Sequence, residues 1–153
     1  MTTADHVAPP QASRRNDVQL FLAIVVVYFV VDVLYQVAFG IRFNTDQYER
    51  AGIDGIFADP PRHLYLFVVF FAVIGLANLV LVVKPSIVER SVRSAAKKGA
   101  LLGLTAYGTL AMTTTWSIAD YPLASAIAIA SEGTFFSAAT PAAITWWALR
   151  GPS

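Results

Sequence analysis

The chain has no cysteine, which removes disulfides, thiolate metal centres and a cysteine nucleophile together. Its two histidines, His6 and His63, lie outside the apolar runs. No run can therefore supply a histidine haem ligand or the histidine cluster of a membrane di-iron enzyme. Lysine is missing from those runs too, which excludes a retinal-type Schiff base. Charge is scarce: 14% of the 153 residues are charged and 56% are hydrophobic, so most of the chain must face lipid or other helices. No Ser-His-Asp set, phosphate-binding glycine loop or nucleic-acid surface is present. No catalytic residue, metal site or cofactor is expected, and nucleic acid is not an expected partner.

What the chain has is length in its apolar runs. Residues 20–39, 64–83, 99–118 and 122–149 are each long enough to cross a hydrocarbon core, which takes roughly 20 helical residues. The expected fold is all-α, a polytopic integral membrane protein built as a four-transmembrane-helix bundle. Residues 1–17 read as a flexible polar tail and 18–150 as one membrane domain. Ser13-Arg14-Arg15 faintly resembles a twin-arginine export signal. Asn16-Asp17-Val18 does not continue that motif, however, and the run that follows is long and contains Asp32, so the pair reads as a basic anchor.

Basic residues set the orientation. Arg14, Arg15, Lys84, Arg90, Arg93, Lys97, Lys98 and Arg150 fall on one side, against Arg42, Arg50 and Arg62 on the other. That bias predicts an inner-membrane, multi-pass protein with both termini cytoplasmic. Tyr65, Trp116 and Tyr121 at the outer ends, and Trp146-Trp147 at the inner end, fit an interfacial aromatic belt. In the connection 40–63, Thr45–Arg50 reads as a short interfacial helix capped by Thr45 and stopped by Gly52. Asp54-Gly55 and Asp59-Pro60-Pro61 read as turns. Asp54, Asp59 and His63 offer oxygen and nitrogen donors, but at a spacing that is not diagnostic of a metal. Pro141 removes a backbone donor inside the last run and frees the Ser137 carbonyl. A kink is expected there, with Thr140 or Thr145 available to the loosened backbone.

Two acids, Asp32 and Glu132, lie within apolar runs that hold no cation to neutralise them, and such a residue is a functional candidate by default. In helix one, Tyr28, Asp32, Tyr35, Gln36 and Phe39 follow spacings of three and four and share a face. Ile24 through Val33 form an aliphatic face suited to lipid. At a rise of about 1.5 Å per residue, Asp32 and Glu132 lie roughly 10 and 15 Å below the outer surface, with Thr113 and Thr114 in the same band. The expected binding pocket is Asp32, Glu132, Tyr28, Tyr35, Gln36, Asn78, Thr113 and Thr114. Two acids that approach each other would share a proton. The competing reading makes them interhelical glue, where polar contacts average only about 0.6 kcal/mol. Gly99 and Gly103 form a small-xxx-small pair suited to close helix approach, within the monomer or between subunits.

The run Lys98-Gly99-Ala100-Leu101-Leu102-Gly103-Leu104-Thr105-Ala106-Tyr107-Gly108-Thr109, then Tyr121-Pro122-Leu123 and Gly133-Thr134, resembles the DUF2177 family of small bacterial four-helix membrane proteins. Asp32 followed by Tyr35 matches an acid and aromatic pair in the family's first helix. The resemblance covers roughly Val18 to Arg150 and is strongest over Gly99–Thr134. The chain departs from the family pattern at Ala111 and Ile129, where acids are usual, and at Thr114, where Asn is usual; Glu132 lies three residues beyond Ile129 on nearly the same face. The family brings no established activity. Its members are similar to proteins encoded near lipid-modifying enzymes, which is an association and not a mechanism.

Three functions follow as expectations. The first is a non-catalytic pocket around Asp32 that binds or passes a proton, a cation or a polar lipid group. The second is an accessory protein or enzyme of membrane-lipid modification, with Asp32 as acid–base. The third is a structural subunit of a membrane complex. Expected partners are membrane lipid, a second copy of the chain, or another membrane subunit.

Overall fold

In the computed structural model the described residues are 16–53 and 65–150, without the side chains of Leu66 and Phe67. These residues are helical, with no strand among them. Helix α1 (Asp17–Tyr35) passes through a π-helical turn, Gln36–Gly40, into α2 (Ile41–Ala51). Helix α3 (Tyr65–Asn78) passes through a second π segment, Leu79–Val83, into α4 (Lys84–Val88). Helices α5 (Val92–Ser117) and α6 (Leu123–Leu149) complete an up-down-up-down bundle. The turns Asp54-Gly55 and Asp59-Pro61, and His63, lie outside the described residues.

Local chemistry sets the ends. Asn16 caps α1 by accepting from the Gln19 N–H at 2.8 Å, and Ser91 caps α5 by accepting from the Ser94 N–H at 3.1 Å. Gly52 stops α2 in the left-handed region at φ 69°. Its N–H reaches the Glu49 carbonyl and that of Ile53 reaches Tyr48, a Schellman ending. Gly52 is thus the stop that the sequence suggests, but Thr45 is no cap. The segment is not a separate interfacial helix, because the chain stays helical from Asp17 to Ala51 over 35 residues, roughly 52 Å. That exceeds a hydrocarbon core of about 30 Å, so the polar α2 projects beyond it. The second π segment sits just ahead of Pro85, which has no N–H to give to that turn and whose ring crowds the carbonyl four residues back.

Among the described helices, Asp17–Ala51 and Val68–Val88 are long and apolar enough on their own to cross a membrane. Helices α5 and α6, at 26 and 27 residues, are long enough but diluted by Gly, Ser and Thr. Those small residues are their shared interface, the most extensive helix contact in the bundle. A Cβ at Gly99 would collide with the Ser137 carbonyl oxygen; one at Gly103 would lie 2.7 Å from the Gly133 carbonyl, and one at Gly133 would enter the Tyr107 ring. The Gly99/Gly103 face is therefore occupied inside the chain by α6, and Gly99 lies against the very carbonyl that Pro141 leaves without a donor. Helix α6 keeps its helical assignment through Pro141, while the Thr145 hydroxyl, fully buried, has no hydrogen-bond partner.

The core row of α1 is Leu20, Ile24 and Tyr28, with Phe71, Ile74, Val83, Phe136 and Ile144 packed around it. This corrects one expectation: Ile24 is fully buried, and the outward face is Leu22, Val26, Phe29 and Val33 instead. Exposed apolar side chains continue on the other helices, at Val73 and Leu76, Leu101 and Leu104, and Ile127 and Phe135. At the end bearing both chain-terminal helix ends, Lys84 pairs with Asp17 at 2.8 Å and Lys98 with Glu89 at 2.6 Å. Lys98, and then the Ser94 hydroxyl, hold the exposed Glu89 carboxyl below its ordinary range. At the opposite end Trp116 is exposed, but Tyr121 is buried and its hydroxyl bonds that of Tyr48 at 3.1 Å, tying α2 to the α5–α6 turn. Burial, reinforced by Tyr48, pushes the Tyr121 phenol above its ordinary value.

Candidate functional site: a carboxyl pair between α1 and α6

The spacing of α1 places Tyr28, Asp32, Tyr35 and Gln36 along one side, and α6 runs antiparallel beside them. Gln36 Nε2 donates to Glu132 Oε1 at 3.3 Å across the two helices. Asp32 lies beside Gln36, and the Asp32 and Glu132 carboxyl groups approach each other. Two carboxylates meeting in this way repel each other unless a proton or a cation lies between them. The ion pairs seen elsewhere in the bundle are at its far end, about 22 Å from Asp32 along α1.

Gly40 helps to aim the amide. A Cβ there would lie 2.9 Å from the Gln36 carboxamide carbon, so a larger residue would push the end of the Gln36 side chain out of its place over the π turn. Helical widening at Gln36–Gly40 thus coincides with a polar side chain directed at an acid. Such π turns recur at functional positions. Tyr35 forms the rim, its ring edge-on to Phe136 at 5.6 Å and tilted on Phe39 at 5.7 Å.

Deeper in the bundle, Asn78 Nδ2 donates to Tyr28 Oη at 3.3 Å and to the Ile74 carbonyl at 2.9 Å. Tyr28 and Asn78 are both fully buried, and the Ser137 hydroxyl lies beside that of Tyr28. Tyr107 lies against Gly133 of α6, with its ring edge-on to that of Phe70 at 5.8 Å. The structure therefore brings together six of the eight expected residues: Asp32, Glu132, Gln36 and Tyr35 at the acid pair, and Tyr28 and Asn78 below it.

Thr113 and Thr114 are not part of the cluster. The row of α5 that meets α6 is Ala95, Gly99, Gly103 and Tyr107; Thr113, six residues beyond Tyr107, has rotated off it, whereas Thr114, seven beyond, stays near that row. Thr113 is exposed, and the Thr114 hydroxyl bonds its own helix at the Leu110 carbonyl, 2.8 Å away. Tyr107 and Ser137 take their place. The signal for Tyr107 lay in the sequence, since it stands four residues after Gly103 on the row that the glycines mark as an interface. Among the described residues no three His, Cys, Asp or Glu side chains gather as a metal site.

An all-helical bundle with lipid-suited outer faces and a carboxyl pair inside it defines a helical membrane protein. The chain belongs to the family described as "Predicted membrane protein (DUF2177)", whose model matches residues 18–147. No curated protein and no solved structure matches it.

Proposed function

We propose that the protein is a four-span inner-membrane protein whose Asp32–Glu132 pair binds and exchanges a proton. The observation that supports this is the meeting of two half-buried carboxyl groups under one amide, with their cross-membrane depth set by apolar helix on either side. A shared proton removes the repulsion that would otherwise part α1 and α6, and its loss gives the site a second state. The exposed aliphatics of α5 and α6, together with those of α1 and α3, support four spans. Eight of the eleven Lys and Arg residues support both termini in the cytoplasm. Reporter fusions at Ser153 and at Asp54 are then expected on opposite sides, and a cytoplasmic signal from Asp54 would reverse the orientation.

The proton site is tested by infrared difference spectroscopy on the protein in lipid bilayers as pH is changed. A carboxyl band that grows on acidification is expected from the wild type; in Asp32→Asn its Asp32 component is expected to be lost, with the remaining Glu132 band appearing at lower pH. A band unchanged in that variant would remove Asp32 from the site. A structural-subunit role loses its main sequence argument, because the Gly99/Gly103 face is already filled by α6.

A further inference from the structure

The two helices that are long and apolar enough on their own to cross a membrane, Asp17–Ala51 and Val68–Val88, pack side by side. Along their seam runs an open groove of about 490 Å³. Val18 and Phe21 of α1 and Val69, Val73 and Leu76 of α3 line it, with Leu79 buried beneath them. Val18, Val73 and Leu76 are exposed, so the groove opens sideways toward lipid. It cannot close by the helices drawing together, because they already touch: a Cβ at Gly75 would lie 2.7 Å from Val25 Cγ2. Among the described residues that line it, the one polar side chain is Asp17, at the end where the first span begins. Asp17 Oδ2 accepts from Lys84 Nζ at 2.8 Å, and both side chains of that pair are exposed.

We propose that this groove holds one acyl chain of a phospholipid whose phosphoethanolamine headgroup sits on the Lys84–Asp17 pair. From Leu79 to Val69 the groove follows the helix for about 15 Å. That is half of a hydrocarbon core of about 30 Å, the depth of the single leaflet in which an acyl chain lies. Lys84 is five residues beyond Leu79, roughly 7.5 Å farther along, where hydrocarbon gives way to headgroups. The charges there match a zwitterion. Its phosphate accepts from the Lys84 ammonium while its own ammonium donates to the Asp17 carboxylate, so one exposed ion pair is exchanged for two. Such a pair is weak and opens at little cost. A phosphoglycerol headgroup brings no cation to Asp17, whose carboxylate then repels the phosphate. Lipid tails are as apolar as Leu, so selection at this site comes from the shape of the groove and from the headgroup, not from hydrophobicity. The site lies about 22 Å along α1 from Asp32 and uses neither acid of the pair.

The test is photocrosslinking of the full chain in bilayers of mixed phosphatidylethanolamine and phosphatidylglycerol, with a diazirine on the acyl chain of one lipid or the other. The ethanolamine probe is expected to mark Phe21, Val69 and Val73 in preference to Ile127 and Phe135 on the lipid face of α6, and the glycerol probe to show no such preference. Marking spread evenly over both faces would mean ordinary boundary lipid and overturn the site. A groove left unmarked would overturn it too, since another copy or another part of the chain would then fill it. Ala72→Trp fills the groove without touching the ion pair and is expected to remove the concentrated marking. Lys84→Gln and Asp17→Asn change only exposed groups, so the fold is expected to persist while the preference for the ethanolamine probe is lost; a preference kept in both would overturn the headgroup assignment. In Asp32→Asn the marking is expected to stay as in the wild type, so failure of the proton-binding reading leaves this result intact.

Discussion

Replacing Gly99 with alanine is expected to break the α5–α6 interface, whereas replacing Gly108 with alanine is expected to leave it whole. At Gly99 the added methyl meets the Ser137 carbonyl oxygen and carbon, which are backbone, along with the Pro141 ring. Backbone cannot rotate away, so α6 itself must move. Overpacking of this kind costs about 1–3 kcal/mol and sometimes more, with the upper end expected where a main chain is the obstacle. At Gly108 the nearest atom to the added methyl is Leu104 Cδ1 at 3.8 Å, an ordinary contact. Alanine there also gains up to about 1 kcal/mol of helix propensity. Thermal unfolding of the purified variants measures the difference, and equal midpoints for the two would refute the close packing described here. The loss at Gly99 would reach the polar cluster as well, since α5 carries Tyr107 and α6 carries Glu132 and Ser137.

The two glycines also show what a sequence reveals about a helical membrane protein. Their four-residue spacing exposes a close-approach face, but not whether the partner is another copy or a helix of the same chain. That answer lies in Gly133, Ser137 and Pro141, a matching four-residue row that is read as an interface only once α6 is seen against α5. Depth was legible and azimuth was not. A rise of about 1.5 Å per residue puts Thr113 and Thr114 near the level of Asp32, yet Thr113 is turned away from the row that meets α6 and the Thr114 hydroxyl bonds the Leu110 carbonyl of its own helix. Gly40 read as a boundary because glycine so often ends helices. Here it lies inside one, vacating the space that the Gln36 side chain fills, and the helix runs on to Gly52. The meeting of Asp32 with Glu132, 100 residues apart, depended on helix order and rotation that no local pattern carries.

The polar groups of the bundle divide by how fully they are satisfied. At the Lys84 end, exposed ion pairs sit where water screens them and contribute little. At the opposite end Tyr48 and Tyr121 hold α2 over the α5–α6 turn. Between them lie the groups that are costly to bury: two acids bridged by Gln36, then Tyr28, Asn78 and Ser137. An unsatisfied buried polar atom costs about 1–3 kcal/mol, so a bundle built only for stability would have used Leu or Ala at Asn78 and Ser137. Their presence on the same track as the acid pair is the physical reason to read that track as functional.

The acid pair makes the largest functional prediction. If Asp32 and Glu132 hold one proton between them, each single amide variant keeps one carboxyl that still titrates, but that carboxyl should take its proton at lower pH than the pair does, because the neighbouring charge that favours the first proton is gone. An amide keeps the shape and the hydrogen bonding of the acid but takes no proton, so the double amide variant should lose the signal altogether. Groups acting as a unit show coupling energies of about 0.5–3 kcal/mol, whereas independent sites add. If the acids only join helices, Asn and Gln serve nearly as well, and the interaction removed by Asp32→Leu is modest, near the average of about 0.6 kcal/mol for interhelical polar contacts. Proton uptake followed against pH separates these cases: two well-separated steps in the wild type, replaced in each single variant by one step at a pH between them, support the shared site. A remaining carboxyl that titrates at the same pH with or without its partner would make Asp32 and Glu132 two separate acids and dissolve the pair.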